Sequence, residues 1–271
     1  MIRWNNAAIV APFLNLRDKQ YREYLRLLIR YGSRPRYREQ RVKFQGYRIR
    51  VPDAVSFIFQ FKEIFVSRSY SFASQEQHPV IFDCGANIGL ASLYFKSIFP
   101  SARVLAFEAD PLLVSVLRDN LSGNGARDVE IIPKAVWVHS KGVSFTQEGA
   151  DAGAIRFDKA GVKVPSVRLK AFLRREKKVD FLKMDVEGAE TEVLLDCGAD
   201  LKIVRSLFVE YHGWPGDSQR LDELLRLLSK SGFRYALKSV SPLEQPLSKD
   251  GLISSSSLQL NIHAERDGGL S

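Results

Sequence analysis

The chain has 271 residues, of which 45% are hydrophobic, and a formal net charge of +9. That is enough for one large domain with an appendage, and it excludes disorder as the default. Two cysteines offer neither a disulfide framework nor metal-ligand spacing, and no apolar run approaches the ~18 residues of a membrane span. A reducing, cytoplasmic setting is the expectation, since residues 7–14 are short, weakly apolar and lack a signal-peptide layout.

The charge is unevenly placed. Residues 1–50 hold 13 Lys/Arg against 3 Asp/Glu, and the rest of the chain holds 27 against 28. Basic character therefore belongs to an N-terminal extension, expected over residues 1–75, and not to a body over 76–271. Within the extension, residues 17–30 read as an amphipathic helix. Tyr21, Tyr24, Leu25 and Leu28 form one stripe, and Arg22, Arg26 and Arg30 line another. Packing on the body or on a second subunit, as in a homodimer, explains that helix. A dock for an acidic carrier, anionic lipid or nucleic acid is the sharper alternative. Val42, Phe44, Tyr47, Ile49 and Val51 alternate around Gln45-Gly46, as a hairpin does. Asp53 then caps a helix through Phe57, Phe59, Phe61, Ile64 and Phe65, and residues 69–79 read as a linker.

The next stretch organises the body. Val80 to Phe82 suit a buried strand, Gly85 and Gly89 punctuate a turn, and Leu90 to Phe99 read as a helix. A strand, a glycine turn and a helix N-terminus make a nucleotide-type pocket, with backbone N–H groups expected to face the ligand. A dinucleotide fingerprint needs a middle glycine, but here Ala86, Asn87 and Ile88 lie between the two glycines. Asp83 at the strand end would also repel a phosphate. S-adenosylmethionine (SAM) has no phosphate; its ammonium suits Asp83 and its carboxylate suits the helix N-terminus.

Further on, Arg103 to Phe107 form a second strand ending at Glu108-Ala109, and Asp110-Pro111 start a helix that Gly123 stops. Glu108 lies 25 residues after Asp83, near the offset of ~20 at which an acid takes ribose hydroxyls. Val129 to Ile132 are a third strand, and Ala135 and Val136 in the loop after it would wall the adenine. Residues 141–169 read as a β-rich insertion with a flexible tip at residues 151–153. Val179 to Met184 are the fourth strand, ending in Asp185-Val186-Glu187-Gly188, with a helix from Ala189 to Cys197. Ser206 to Val209 are the fifth, ending in Glu210-Tyr211-His212-Gly213. A helix over 221–231 and strands over 233–237 and 258–262 complete the chain. Ligands of an open parallel sheet sit at the carboxyl ends of strands. Asp83, Glu108, Asp185, Glu187, Glu210 and His212 all fall at such ends, across four strands.

Four pieces together resemble the FkbM family of SAM-dependent methyltransferases. They are Val80 to Gly89, Phe107 to Pro111, Leu182 to Glu190 and Val209 to His212. The resemblance covers roughly residues 53–263 and leaves the first 50 outside. It implies an α/β, Rossmann-like class I methyltransferase fold, with a seven-stranded, mostly parallel sheet, helices on both faces and an antiparallel last strand. It also implies O-methylation of a hydroxyl on a natural product or sugar. Lys170 departs from the family, which often has an acid there.

The cofactor set is then Asp83, Gly85, Ala86, Asn87, Ile88, Gly89, Glu108, Ala109, Ala135, Val136 and Asp185. His212 is the expected base, because an unperturbed imidazole titrates near ~6.5, with Glu210 or Glu187 orienting it and Asp185 on SAM or substrate. A divalent cation on Asp185, Glu187, Glu210 and His212 is a variant that is not favoured, since no compact metal motif is present. The rivals are a NAD-dependent dehydrogenase, a non-catalytic SAM-binding module and a nucleic-acid methyltransferase. No Pro-Pro-Tyr-type loop for base flipping is seen for the last of these.

Overall fold

The structure, a computed structural model, describes residues 16–147, 153–154, 162–213, 218–240 and 258–266. The expected tip at 151–152 and most of the loop between the last two strands lie outside them. The chain divides into two compact units, one up to Ser71 and one from Phe72.

The first unit opens with helix α1 (Lys19–Tyr31), whose N-cap Asp18 accepts from the Gln20 and Tyr21 N–H groups. Its buried side chains are Leu27 and Tyr31, not the expected Leu25 and Leu28. The buried stripe is turned from the expected one and keeps Tyr24 at its rim, where Lys62 lies over the ring at 5.8 Å. Strands β1 (Gln40–Phe44) and β2 (Tyr47–Val51) form the expected hairpin. Gln45 and Gly46 both take positive φ, 46° and 89°, as a two-residue turn of matching twist requires. Helix α2 (Ala54–Phe61) is capped by Asp53, which also holds Arg36 at 2.6 Å, and passes into a π-helical turn over residues 62–66. Phe44, Phe57, Phe61 and Phe65 form the core of this unit, with Phe44 5.5–5.6 Å from each of the other three. Phe59 points outward.

The second unit is built on a seven-stranded sheet. Its strands are β3 (Val80–Cys84), β4 (Arg103–Phe107), β5 (Glu130–Ile132), β11 (Val179–Met184), β12 (Val204–Gly213), β13 (Phe233–Ser239) and β14 (Leu258–Arg266). Their spatial order is β13-β14-β12-β11-β3-β4-β5, and β14 alone runs opposite to the other six. This is the seven-stranded sheet with one antiparallel strand that the resemblance implies. Crossover helices α3 (Leu90–Ile98) and α4 (Pro111–Gly123) make the parallel pairings possible.

The register sorts side chains onto two faces. Phe82, Cys84, Leu182, Met184, Leu207 and Val209 point to one core, shared with α5 (Leu169–Leu173), α6 (Glu190–Cys197) and α7 (Leu221–Lys230). On the other face Phe181 contacts Phe95 of α3 and stacks on Phe72 at 4.8 Å. The stretch expected as a linker is therefore fastened from Phe72 onward: Ser74 donates to Asp180, and Lys178 pairs with Glu76.

Two expectations are corrected. Ala135 and Val136 are not in a loop but in a short strand, β6 (Ala135–Trp137), paired in parallel with β10 (Ser166–Arg168), and both are buried in the core. Glu210, Tyr211, His212 and Gly213 do not follow the fifth strand but belong to it. The antiparallel β14 supplies hydrogen bonds for β12 as far as Gly213, well beyond the end of β11. Within the insertion, β7 (Val143–Gln147) pairs with β8 (Gly153–Ala154) and β9 (Val162–Val164).

Candidate active site

Because Lys183 aligns with Asp83 across β11 and β3, both side chains leave the same sheet face. Asp83 is fully buried. Its Oδ2 accepts from Ser92 Oγ at 2.7 Å. Its Oδ1 is 3.6 Å from Lys183 Nζ, near enough for an ion pair but long for a hydrogen bond, and has no hydrogen-bond partner among the described residues. Burial pushes the Asp83 pKa up, against the pull of Lys183.

Lys183 is the centre of the arrangement. Its Nζ donates to the Gly85 carbonyl at 2.8 Å and meets Asp185 Oδ2 at 2.9 Å. Burial alone would lower its pKa, but Asp185 and Asp83 outweigh that and hold it above the usual lysine range. It ties the β3 turn to the β11 turn, and two contacts tighten this further. Asp185 N–H donates to the Cys84 carbonyl, and a Cβ on Gly85 would lie 1.7 Å from the Asp185 oxygen.

The turn over 85–89 differs from expectation in one respect. The N–H groups of Gly85 and Ala86 both donate to the Phe107 carbonyl, Asn87 N–H goes to Glu108 Oε2, and Gly89 N–H goes to Ala86. Four of the five amides are spent on holding the turn, because its positive-φ residues Gly85, Asn87 and Gly89 curl it against β4. Ala86 and Ile88 have buried side chains; Asn87 is half-buried. Glu108 sits just past β4 with Oε2 on Asn87 N–H at 2.7 Å and Oε1 on Asp110 N–H at 2.9 Å. Burial raises its pKa to about 7, against those N–H bonds. Ala109 beside it is half-buried.

At the far end, Glu187 takes φ +57° in the turn after β11, and its Oε2 lies 3.3 Å from His212 Nε2. His212 Nδ1 faces Glu190 Oε1 at 3.2 Å. Glu190 also accepts from Val186 N–H at 3.1 Å and from Gly188 N–H at 3.0 Å. Gln259 of β14 donates to Glu210 and lies 3.3 Å from His212 Nε2. The expectation of a neutral imidazole near ~6.5 is corrected. Burial would lower the His212 pKa, but Glu190, Glu187 and Asp185 raise it to about 10, so the ring is an imidazolium at neutral pH. Burial in turn lifts Glu187 to about 8, against the pull of His212.

Asp83, Glu108, Asp185, Glu187, Glu210 and His212 thus lie at one edge of the sheet, while Ala135 and Val136 belong to the core. Asp185, Glu187 and His212 each bring one ligand atom within 4.8 Å of the others, a set able to hold a cation. Lys170, the family departure, donates to the Asp196 carbonyl and lies 3.6 Å from Asp200, away from these groups. Sequence reading missed Lys183, Glu190 and Gln259. A charge inside the apolar run Val179 to Met184 was the available signal for Lys183.

The model of the methyltransferase FkbM domain matches residues 83–235. Methyltransferase sdnD of Sordaria araneosa is 32% identical, over 62% of this chain and 79% of its own length. The 31-O-demethyl-FK506 methyltransferase FkbM of Streptomyces tacrolimicus is 28% identical, over 65% of this chain and 81% of its own. The 2-O-methyltransferase NoeI of Sinorhizobium fredii is 24% identical, over 51% and 65% respectively. No helix among the described residues is long and apolar enough to cross a membrane.

Proposed function

The chain belongs to the FkbM family of methyltransferases and is a SAM-dependent methyltransferase, and from that premise we propose that it methylates a hydroxyl oxygen of a small molecule, a natural product or a glycan. The names of the two bacterial relatives support oxygen as the acceptor. The observation that carries the reading is two adjoining sets of charged contacts along one sheet edge, Asp83–Lys183–Asp185 and Glu187–His212, which meet where Asp185, Glu187 and His212 bring ligand atoms within 4.8 Å of one another. The basic excess lies in residues 1–50 instead, which favours a small acceptor over nucleic acid. The two free, buried cysteines are in keeping with a reducing compartment such as the cytoplasm.

The residues present fit SAM. Asp83 Oδ1, buried and short of a hydrogen-bond partner, would accept from the ammonium. Glu108 keeps lone pairs for ribose hydroxyls after its two backbone bonds. When bound, the sulfonium supplies an already activated methyl group, so positioning carries most of the rate. The proton of the acceptor hydroxyl goes to the Glu187–His212 pair. Only the ionised form of Glu187 can accept it; burial raises that carboxyl's pKa, and the His212 imidazolium beside it, as counter-charge, pulls it back down. Asp185 and Glu187 already face Lys183 and His212, so no metal is assigned to the reaction.

The test is a screen with methyl-deuterated SAM over sugars, polyketides and carrier-bound intermediates, read by mass spectrometry. The expected product carries the label on oxygen; label on nitrogen or carbon alone, or SAM bound with no transfer, overturns the reading. Glu187→Gln and His212→Ala should each lose about 100-fold in kcat or more, with SAM affinity kept. Wild-type turnover in both would remove the pair from the mechanism. Turnover should survive exhaustive chelation; loss restored by Mg or Mn would put a cation on Asp185, Glu187 and His212.

A further inference from the structure

We infer that Glu190 is the positioning residue of the site: one buried carboxylate fixes both the turn that carries Glu187 and the ring of His212. The inference rests on the reading of Glu187 and His212 above and assigns to Glu190 a role that neither of them fills.

Glu190 is only 1% exposed, at the first position of α6. Its Oε1 accepts from Val186 N–H at 3.1 Å and from Gly188 N–H at 3.0 Å, and its Oε2 is 3.1 Å from the same Gly188 nitrogen. Those two amides bracket Glu187, whose φ of +57° is a conformation a non-glycine residue rarely keeps without support. The same Oε1 lies 3.2 Å from His212 Nδ1. A carboxylate only accepts, so Nδ1 carries the hydrogen there. The two ring nitrogens are thereby assigned. Nδ1–H is committed to Glu190, and Nε2 is left to Glu187 at 3.3 Å and to the Gln259 amide at 3.3 Å. Glu187 is the acceptor for Nε2–H of the imidazolium, while the Gln259 amide donates to Glu210 beside it. Glu190 touches no reacting atom in this scheme. It keeps Glu187, from the turn after β11, and His212, from β12, at one separation.

The experiment uses the full chain labelled with 15N-histidine, the His212 signals being identified by their absence in His212→Ala. In the wild type the His212 Nδ1–H should be visible and slow to exchange. Glu190→Gln keeps an oxygen able to accept from Val186, Gly188 and Nδ1, so the signal should stay within a few tenths of a ppm. In Glu190→Ala it should be lost to exchange. Calorimetry with SAM should give affinities within about threefold for all three proteins. On the acceptor that the screen identifies, Glu190→Ala should lose about 100-fold in kcat with acceptor KM unchanged, and Glu190→Gln should recover to within about tenfold of wild type. An unchanged Nδ1–H in Glu190→Ala, or Glu190→Gln as slow as Glu190→Ala, overturns the inference. If Glu190→Ala does not fold, the Gln variant decides alone: loss of its Nδ1–H signal sinks the assignment. Wild-type turnover in Glu187→Gln and His212→Ala would instead sink the base reading and leave the NMR result for Glu190 to stand or fall separately.

Discussion

Glu108 accepts one backbone N–H on each oxygen, and burial still lifts its pKa to about 7. At neutral pH the free protein therefore holds part of this carboxyl protonated. Ribose hydroxyls donate to the ionised form, so their arrival lowers the pKa and expels a proton. SAM binding at pH 7 should release protons, read as a dependence of calorimetric enthalpy on buffer ionisation. Glu108→Gln should remove that dependence and weaken binding. Proton uptake, or release undiminished in the variant, would take Glu108 out of the ribose site. The sign for stability follows from the same shift. An acid whose folded pKa is raised binds its proton more tightly folded than unfolded, so its contribution is full below about 4.5 and is lost as pH rises through about 7. At this scale much of the site was legible. Asp83, Asp185, Glu187, Glu210 and His212 stand out as polar residues closing apolar runs. What sequence could not reveal is which partner each would find. Lys183 meets Asp83 through a strand pairing 100 residues apart, and Gln259 reaches Glu210 and His212 only through the antiparallel register. Glu190 reads as an ordinary acid in the first turn of a helix until the Val186–Gly188 turn folds back on it.

Among the elements, the β3 turn and the β11 turn are in contact at one point that allows no side chain. Gly85 has φ +82°, and its missing Cβ would lie 1.7 Å from the Asp185 carbonyl oxygen. Gly85→Ala adds left-handed strain and overpacking against backbone, together on the order of 3 kcal/mol. In a body of this size that lowers Tm by roughly 6–12 °C, and the displaced Asp185 should take SAM affinity with it. Gly46 is the control, with φ +89° but nothing within 4 Å of its Cβ, so Gly46→Ala meets the strain alone, about 1 kcal/mol. Equal melting shifts in the two would show that the turn contact does not constrain the site. The same local-against-distant division explains which elements could be read in advance. β3, β4, β11 and the helices following them announce themselves by apolar runs, a cap and a glycine stop. The extension of β12 and the pairing of β6 with β10 depend on strands far along the chain, and no local pattern encodes them.

For the whole molecule, the two units have separate cores. The first is built on four phenylalanines from the hairpin, α2 and the turn after it, the second on the two faces of the sheet. The charge is divided likewise, with the excess of Lys/Arg confined to residues 1–50. Every residue proposed to hold SAM belongs to the second unit. A ligand stabilises only what must open to release it, by RT ln(1 + [L]/Kd). At SAM one hundred times its Kd, amides of β3, β4, β11 and β12 that exchange only on full opening of the second unit should slow about 100-fold. Amides of β1, β2 and α2 should exchange at their former rate if the first unit opens independently. Hydrogen exchange read by mass spectrometry with and without SAM separates the two cases. Equal slowing in residues 40–66 would mean that both units open as one cooperative body. The basic extension would then have to be counted among the elements whose folding SAM binding supports, and acceptor specificity sought there as well as at the sheet edge.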